Sequence, residues 1–202
     1  MTKEHTAKEF KNKRDLMRAQ LAHQAAKLMA ESGITDHALA KKKAARQMGA
    51  SDTHHLPSNE EINIALQSFR SLFQSHTHPG VLRRLREEAL ASMQMLEEFH
   101  PYLTGSVLSG TAGEQSDINI ILFSDDAKAV VLFLLKHNII FETGEWKVQL
   151  GGQVKTVPSY SLINESGIQT RLALLPESAR FSGSIKSATH ADITSVVTLL
   201  TT

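Results

Sequence analysis

Residues 103 to 123 read LTGSVLSGTAGEQSDINIILF, and the order of residue types in this stretch decides the fold. An apolar stretch runs into Gly105-Ser106, and glycine allows the tight backbone that such a turn demands. Gly110 is a second turn residue. Ser116, Asp117, Ile118 and Asn119 then open a β-branched run, Asp117 to Phe123, which is expected as a short strand. Residues i and i+2 of a strand point to the same side, so Asp117 and Asn119 are expected to project together.

Downstream, the pattern predicts an amphipathic helix from Ser124 to Asn138, capped by Ser124 with Asp125 and Asp126 in its first turn. Strands are expected at Ile139–Glu142, Trp146–Leu150, Val154–Val157, Tyr160–Asn164 and Ile168–Leu175, separated by Gly151-Gly152 and by Glu165-Ser166-Gly167. A last helix is expected over His190–Leu200, with Thr189 and Asp192 as a capping pair.

Upstream, the first hundred residues read as helix. Apolar positions Leu16, Met17, Leu21, Ala25, Leu28 and Met29 recur at helical spacing, with Gly33 as a stop. A second helix is expected from an Asp36 cap to Met48, closed by Gly49. Residues Ser51 to Pro57 read as a loop and hinge. Ser58 and Glu61 form a capping box for a third helix with a buried line of Ile62, Leu66, Phe69 and Phe73. A fourth runs from Pro79 to about Phe99, with Leu82, Leu85, Leu90, Met93 and Leu96 inside. The expected organisation is a helical N-terminal region, residues 1–99, followed by an α+β domain with a mostly mixed sheet, residues 100–202.

The segment Gly105 to Asn119 resembles the signature of the nucleotidyltransferase superfamily of the DNA polymerase β type. There an apolar strand ends in Gly-Ser, a short turn and helix follow, and a second strand carries two acids one residue apart. Gly105 and Ser106 match the Gly-Ser, Gly110 the second glycine, and Ser116, Asp117, Ile118 and Asn119 the Ser-Asp-Ile-Asp. The resemblance covers about Pro101 to Leu175. It implies a phosphate-holding turn whose backbone N–H groups and hydroxyl approach a polyphosphate, and carboxylates that present Mg2+ to the charge moving between its oxygens.

The sequence departs from that pattern at the acids. Asn119 stands where the second carboxylate belongs and is a far weaker magnesium ligand. The resemblance places a third acid on a later strand, where Ile168–Leu175 offers Arg171 at its centre. Asp117 alone cannot offset two dications, and Arg171 would repel them. The reading is therefore a nucleotidyltransferase-like protein that has lost transfer chemistry. Its remaining role is binding a nucleotide, another phosphorylated ligand or a protein partner, with Gly105, Ser106, Gly110, Ser116, Asn119 and Arg171 as binding residues. In that reading Arg171 meets phosphate directly in place of metal charge. Asp117 remains as the metal ligand and catalytic residue if activity survives, and its bland alternative is a cap on a neighbouring turn. A rival reading is an active Mg2+-dependent enzyme that recruits Glu142, Glu145 or Glu165.

Composition bounds the rest. The 202 residues are 41% hydrophobic and 21% charged, the proportions of a globular chain. Cysteine is absent, which removes disulfides, thiolate metal sites and a cysteine nucleophile, and favours a cytoplasmic setting. The N-terminus lacks an apolar signal core and no window approaches a membrane span, so no membrane association is expected. Net charge is +1, yet residues 1–48 hold eleven Lys or Arg against five Asp or Glu. Lys41, Lys42, Lys43 and Arg46 stand out. They read either as a solvated helix face or as a nucleic-acid contact, which makes a nucleic-acid adaptor the third reading. His54-His55 and His76-Thr77-His78 come with no carboxylates at ligand spacing and read as solvated loops. A homo-oligomer remains compatible with all of this.

Overall fold

The computed structural model describes residues 2–50, 56–73, 78–150, 153–164, 166–182 and 189–201. The chain divides into two compact units, Met1–Pro79 and Gly80–Thr202. Their boundary precedes the 99/100 change of sequence pattern for a physical reason. The helix that straddles it buries Leu85, Ala89 and Met93 in the same apolar cluster as the strands that follow.

The first unit is built on α1 (Thr2–Ser32), α2 (His37–Gln47) and α3 (Asn59–Phe73). Leu21, Ala22, Ala25, Ala26 and Met29 of α1 meet Ala40, Ala44 and Ala45 of α2 and Ile62, Ala65 and Leu66 of α3. The alanines let the helices approach closely. Gly33 and Gly49 end α1 and α2 with φ of 65° and 66°, a conformation that favours glycine. Asp36 caps α2 by accepting from the N–H groups of Ala38 and Leu39. The capping box forms as expected: the Glu61 N–H donates to Ser58 Oγ at 3.1 Å, and the Ser58 N–H donates to Glu61 Oε2 at 2.6 Å. The buried line of α3 departs from expectation after Leu66. It passes through Arg70, while Phe73 is 72% exposed and packs its ring on Phe69. The expected 51–57 hinge falls mostly outside the described residues.

The second unit carries α4 (His78–Met95) from Gly80 on, a 3-10 turn (Glu97–Phe99), β1 (Tyr102–Thr104), α5 (Gly105–Ser109) and β2 (Ile118–Phe123). Then follow α6 (Ala127–Lys136), β3 (Phe141–Leu150), β4 (Gln153–Ile163), β5 (Gln169–Leu175), α7 (Ser178–Phe181), β6 (His190–Ala191) and α8 (Ile193–Thr201). The six strands form one mixed sheet in the order β3-β4-β5-β2-β1-β6, with β2 and β5 parallel and the other pairs antiparallel. The architecture is α+β with a helical N-terminal region, as the sequence predicts.

One face of the sheet, through Leu103, Ile118, Ile120, Leu122, Leu172 and Leu174, joins residues of α4, α5, α6 and α8 in the main core. The other face, through Ile121, Phe123, Val157, Ala173 and Leu175, gathers a smaller cluster with Ala179 of α7. Alternation along β2 therefore buries apolar side chains on both sides and leaves Asn119 on the second face.

Three local expectations change. Asp126, not Ser124, caps α6 by accepting from the Lys128 N–H, while Ser124 Oγ bonds across to Asp126. The four short strands between 139 and 164 merge into the two long strands β3 and β4. Pro158 is compatible with β4 because pairing with β5 begins only at Ser159, so its missing N–H breaks no bond on that side. At the C-terminus, His190 is in a strand, and Asp192 caps α8 by accepting from the Ser195 N–H.

Candidate functional site

The strand register brings the polar residues of the signature together. Thr104 on β1 lies opposite Asn119 on β2, Asn119 lies opposite Arg171 on β5, and Arg171 lies opposite Ser161 on β4. Side chains directly opposite each other share a face, so these residues form one row across the second face of the sheet. Asp117 sits one residue before β2. Arg171 Nη2 donates to Asp117 Oδ2 at 2.9 Å, and both side chains are half-buried, at 38% and 29% exposure.

Gly105 begins α5 with φ of 76°, and a Cβ placed there would lie 2.9 Å from Asn119 Nδ2. The turn thus presses its backbone against the Asn119 amide, and glycine is required both by conformation and by space. Asn119 Oδ1 is buried and has no hydrogen-bond partner among the described residues. Gly110 terminates α5 with φ of 79°, donating its N–H to Ser106 O. Its role is that of a helix-ending glycine. Ser116 uses its hydroxyl to accept from the Gly113 N–H at 2.9 Å, which closes the loop before Asp117. Ser106 is half-buried in α5, and its carbonyl also receives the Thr111 N–H.

Two neighbours were not expected from the sequence. Arg86 of α4 reaches the end of α5, donating through Nε to Val107 O and through Nη2 to Leu108 O, each at 3.3 Å. Burial pushes its guanidinium down from the ordinary value, and the two carbonyls at a helix C-terminus suit a cation. Trp146 of β3 lies beside Arg171, whose guanidinium carbon is 5.8 Å from the ring centroid. Neither carries a local signal, because both contacts join segments distant in sequence.

The donor set around Asp117 is poor in the carboxylate oxygens that Mg2+ takes. A magnesium ion in this chemistry takes carboxylate oxygens, and here the i+2 position is an amide, the facing position is a guanidinium, and Asp117 already serves that guanidinium. Among the described residues no three Asp, Glu or His side chains gather to hold a metal. Glu142 shares the face but lies on β3, three strands from Asn119, roughly 14 Å at ordinary strand spacing. Glu145 is three residues further on and alternation turns it to the other face. Glu165 lies outside the described residues. The residues present do not fit the metal site that the resemblance implies.

The basic segment resolves into two parts. Lys42, Lys43 and Arg46 are exposed on the side of α2 away from Ala40, Ala44 and Ala45, with Lys42 and Lys43 each one turn from Arg46. None of the three has a salt bridge among the described residues. Lys41 is half-buried on the flank of the alanine face. His54, His55 and His76 lie outside the described residues; His78 Nε2 is 3.2 Å from Arg70 Nη1. No described helix is long and apolar enough to cross a membrane.

No protein-family model matches the chain, and no curated protein matches it. Among solved structures it is similar to Cid1, described for its RNA terminal uridylyl transferase activity, at 17% identity over 50% of this chain and 31% of that one, with a TM-score of 0.32. It is also similar to a cytoplasmic RNA terminal U-transferase, at 18% identity over 62% of this chain and 31% of that one, with a TM-score of 0.26. The chain spans less than a third of the length of either structure.

Proposed function

We propose that the sheet unit is a nucleotidyltransferase-like domain that binds a phosphorylated ligand through Arg171 without a divalent cation and does not transfer nucleotides. One observation carries this reading: Arg171 faces Asn119 across β2 and β5 and reaches Asp117, at the place where the resemblance implies metal. A guanidinium supplies fixed positive charge and five N–H donors, of which the contact with Asp117 engages one. Phosphate is the ligand chemistry that such a fork matches. The active-enzyme rival is disfavoured by the register, which separates Glu142 and Glu145 from Asp117.

Calorimetry with inorganic tripolyphosphate in EDTA tests the proposal. The native chain is expected to bind, and Arg171→Met to lose at least tenfold in affinity while keeping its circular dichroism spectrum. Equal affinity of the two proteins overturns it.

A second reading rests on a separate observation, the exposed trio Lys42, Lys43 and Arg46. Cations one turn apart with no carboxylate partner can follow a phosphate backbone. In this reading the first unit contacts nucleic acid. Replacing the trio by alanine then flattens the salt dependence of single-stranded RNA binding by roughly 0.7 in log–log slope per lost phosphate contact. An unchanged slope rejects it.

A further inference from the structure

The sheet ends in two unequal edges. β6 is 2 residues long, whereas β3 runs for 10, and among the described residues no strand pairs with its outer side. A long free edge is a template for another strand, and folded proteins commonly blunt it with proline, a bulge or charge. β3 carries no proline, and its register with β4 runs unbroken from Phe141–Leu162 to Leu150–Gln153. Glu142, Thr143, Gly144, Glu145 and Lys147 are exposed along it.

Pro158 fixes which backbone groups face outward. Alternate pairs of an antiparallel ladder exchange hydrogen bonds, and Pro158, opposite Glu145, has no N–H to give. Glu145 and Pro158 are therefore a non-bonded pair. The N–H and C=O of Glu145, and by alternation those of Thr143 and Lys147, point to the free edge. A second, antiparallel copy of β3 bonds there only when odd-numbered residues meet odd-numbered ones. Registers centred on Glu145 or on Lys147 set like charges against each other, which is unfavourable. The register centred on Trp146 instead sets Glu145 of each copy against Lys147 of the other. Within the chain neither side chain has an ion pair among the described residues, since across the hairpin Glu145 meets Pro158 and Lys147 meets Thr156.

We propose that the free edge of β3 is a self-association surface, pairing antiparallel with β3 of a second copy about a twofold axis at Trp146. Two six-stranded sheets then become one continuous sheet. The faces are preserved across such a junction, so the Arg171 rows of both copies open on the same side, the side of Trp146. The pairing needs no ligand at Arg171. A contact between two strand edges is small for a protein interface, so the dimer is of roughly micromolar affinity or weaker.

Sedimentation equilibrium of the full chain, from roughly 1 µM to 1 mM, spans that affinity range and provides the test. The native chain is expected to pass from monomer to dimer. Lys147→Glu and Glu145→Lys each turn two attractive pairs into two repulsive ones. Each is expected to weaken self-association about tenfold with an unchanged circular dichroism spectrum. An equimolar mixture of the two variants is expected to associate as the native chain does, because the lysines of one copy then meet the glutamates of the other. The double variant Glu145→Lys with Lys147→Glu is expected to recover the native affinity by itself. A native chain that stays monomeric throughout overturns the proposal. A dimer indifferent to both single variants overturns it as well, by placing the interface elsewhere. So does a mixture that associates no more tightly than either variant alone.

Discussion

Arg171 and Asn119 face each other across the parallel strands β2 and β5, and the guanidinium of Arg171 turns to the Asp117 carboxylate at 2.9 Å. A carboxylate pair would repel itself without metal; an amide and a guanidinium beside one carboxylate form a site with its own counter-charge.

Carboxylates at both of these positions are expected to draw a divalent cation to the row. Asn119→Asp with Arg171→Asp gathers three carboxylates on adjacent strands, the donor set that a divalent cation takes. Calorimetry is expected to detect Mn2+ binding in the double variant and none in the native chain. Equal Mn2+ affinity in both contradicts the assignment.

The contact between Gly105 and Asn119 predicts a measurable strain. Gly105→Ala places a Cβ 2.9 Å from Asn119 Nδ2 at a φ of 76° and is expected to cost about 1–3 kcal/mol. Gly167 has a similar φ of 75° with nothing within 4 Å, so Gly167→Ala carries the backbone strain alone. Urea unfolding followed by Trp146 fluorescence is expected to show Gly105→Ala as the less stable of the two, with weakened tripolyphosphate binding.

Arg86 holds the end of the same short helix. Arg86→Met leaves the Val107 and Leu108 carbonyls without this donor and is expected to destabilise the sheet unit by about 1–3 kcal/mol in the same assay. A change below a few tenths of a kcal/mol rejects a supporting role.

Acid sensitivity of the first unit is expected at Glu61. The Arg18 guanidinium, 2.8 Å away, and the Ser58 N–H hold its carboxyl at about 2, against an ordinary value of 4.5. Because the folded value lies below the unfolded one, the stabilisation is present above about pH 4.5 and is lost as pH falls toward 2. Unfolding curves monitored by helical circular dichroism between pH 6 and pH 2 (a range of roughly two pH units either side of the usual carboxylate pKa) are expected to lose more stability in the native chain than in Glu61→Gln. Parallel loss in both contradicts the role of this carboxyl.

The helical half and the signature turn were legible because their signals are local. Asp36, Ser58 and the stop glycines act within one turn of themselves, and the Gly105–Asn119 spacing is continuous in sequence. Arg171 is singled out only through the third acid that the resemblance implies on a later strand, and the register puts it opposite Asn119. What the sequence did not reveal depends on pairing between distant strands. The union of β3 and β4 into a long hairpin, the approach of Trp146 to Arg171, and the reach of Arg86 to α5 arise only once the sheet closes. The spacing of Phe73 predicts a buried position, but helical periodicity cannot tell that the core ends near Arg70.

The most direct test of the central claim is the affinity of Asp117→Asn for tripolyphosphate, measured by calorimetry in EDTA and in Mg2+. If Arg171 is the phosphate-binding charge, removing its intramolecular counterion strengthens binding several-fold, equally in both buffers. Weaker binding in Asp117→Asn, with the loss confined to the Mg2+ buffer, would show that Asp117 serves a metal and would contradict the account.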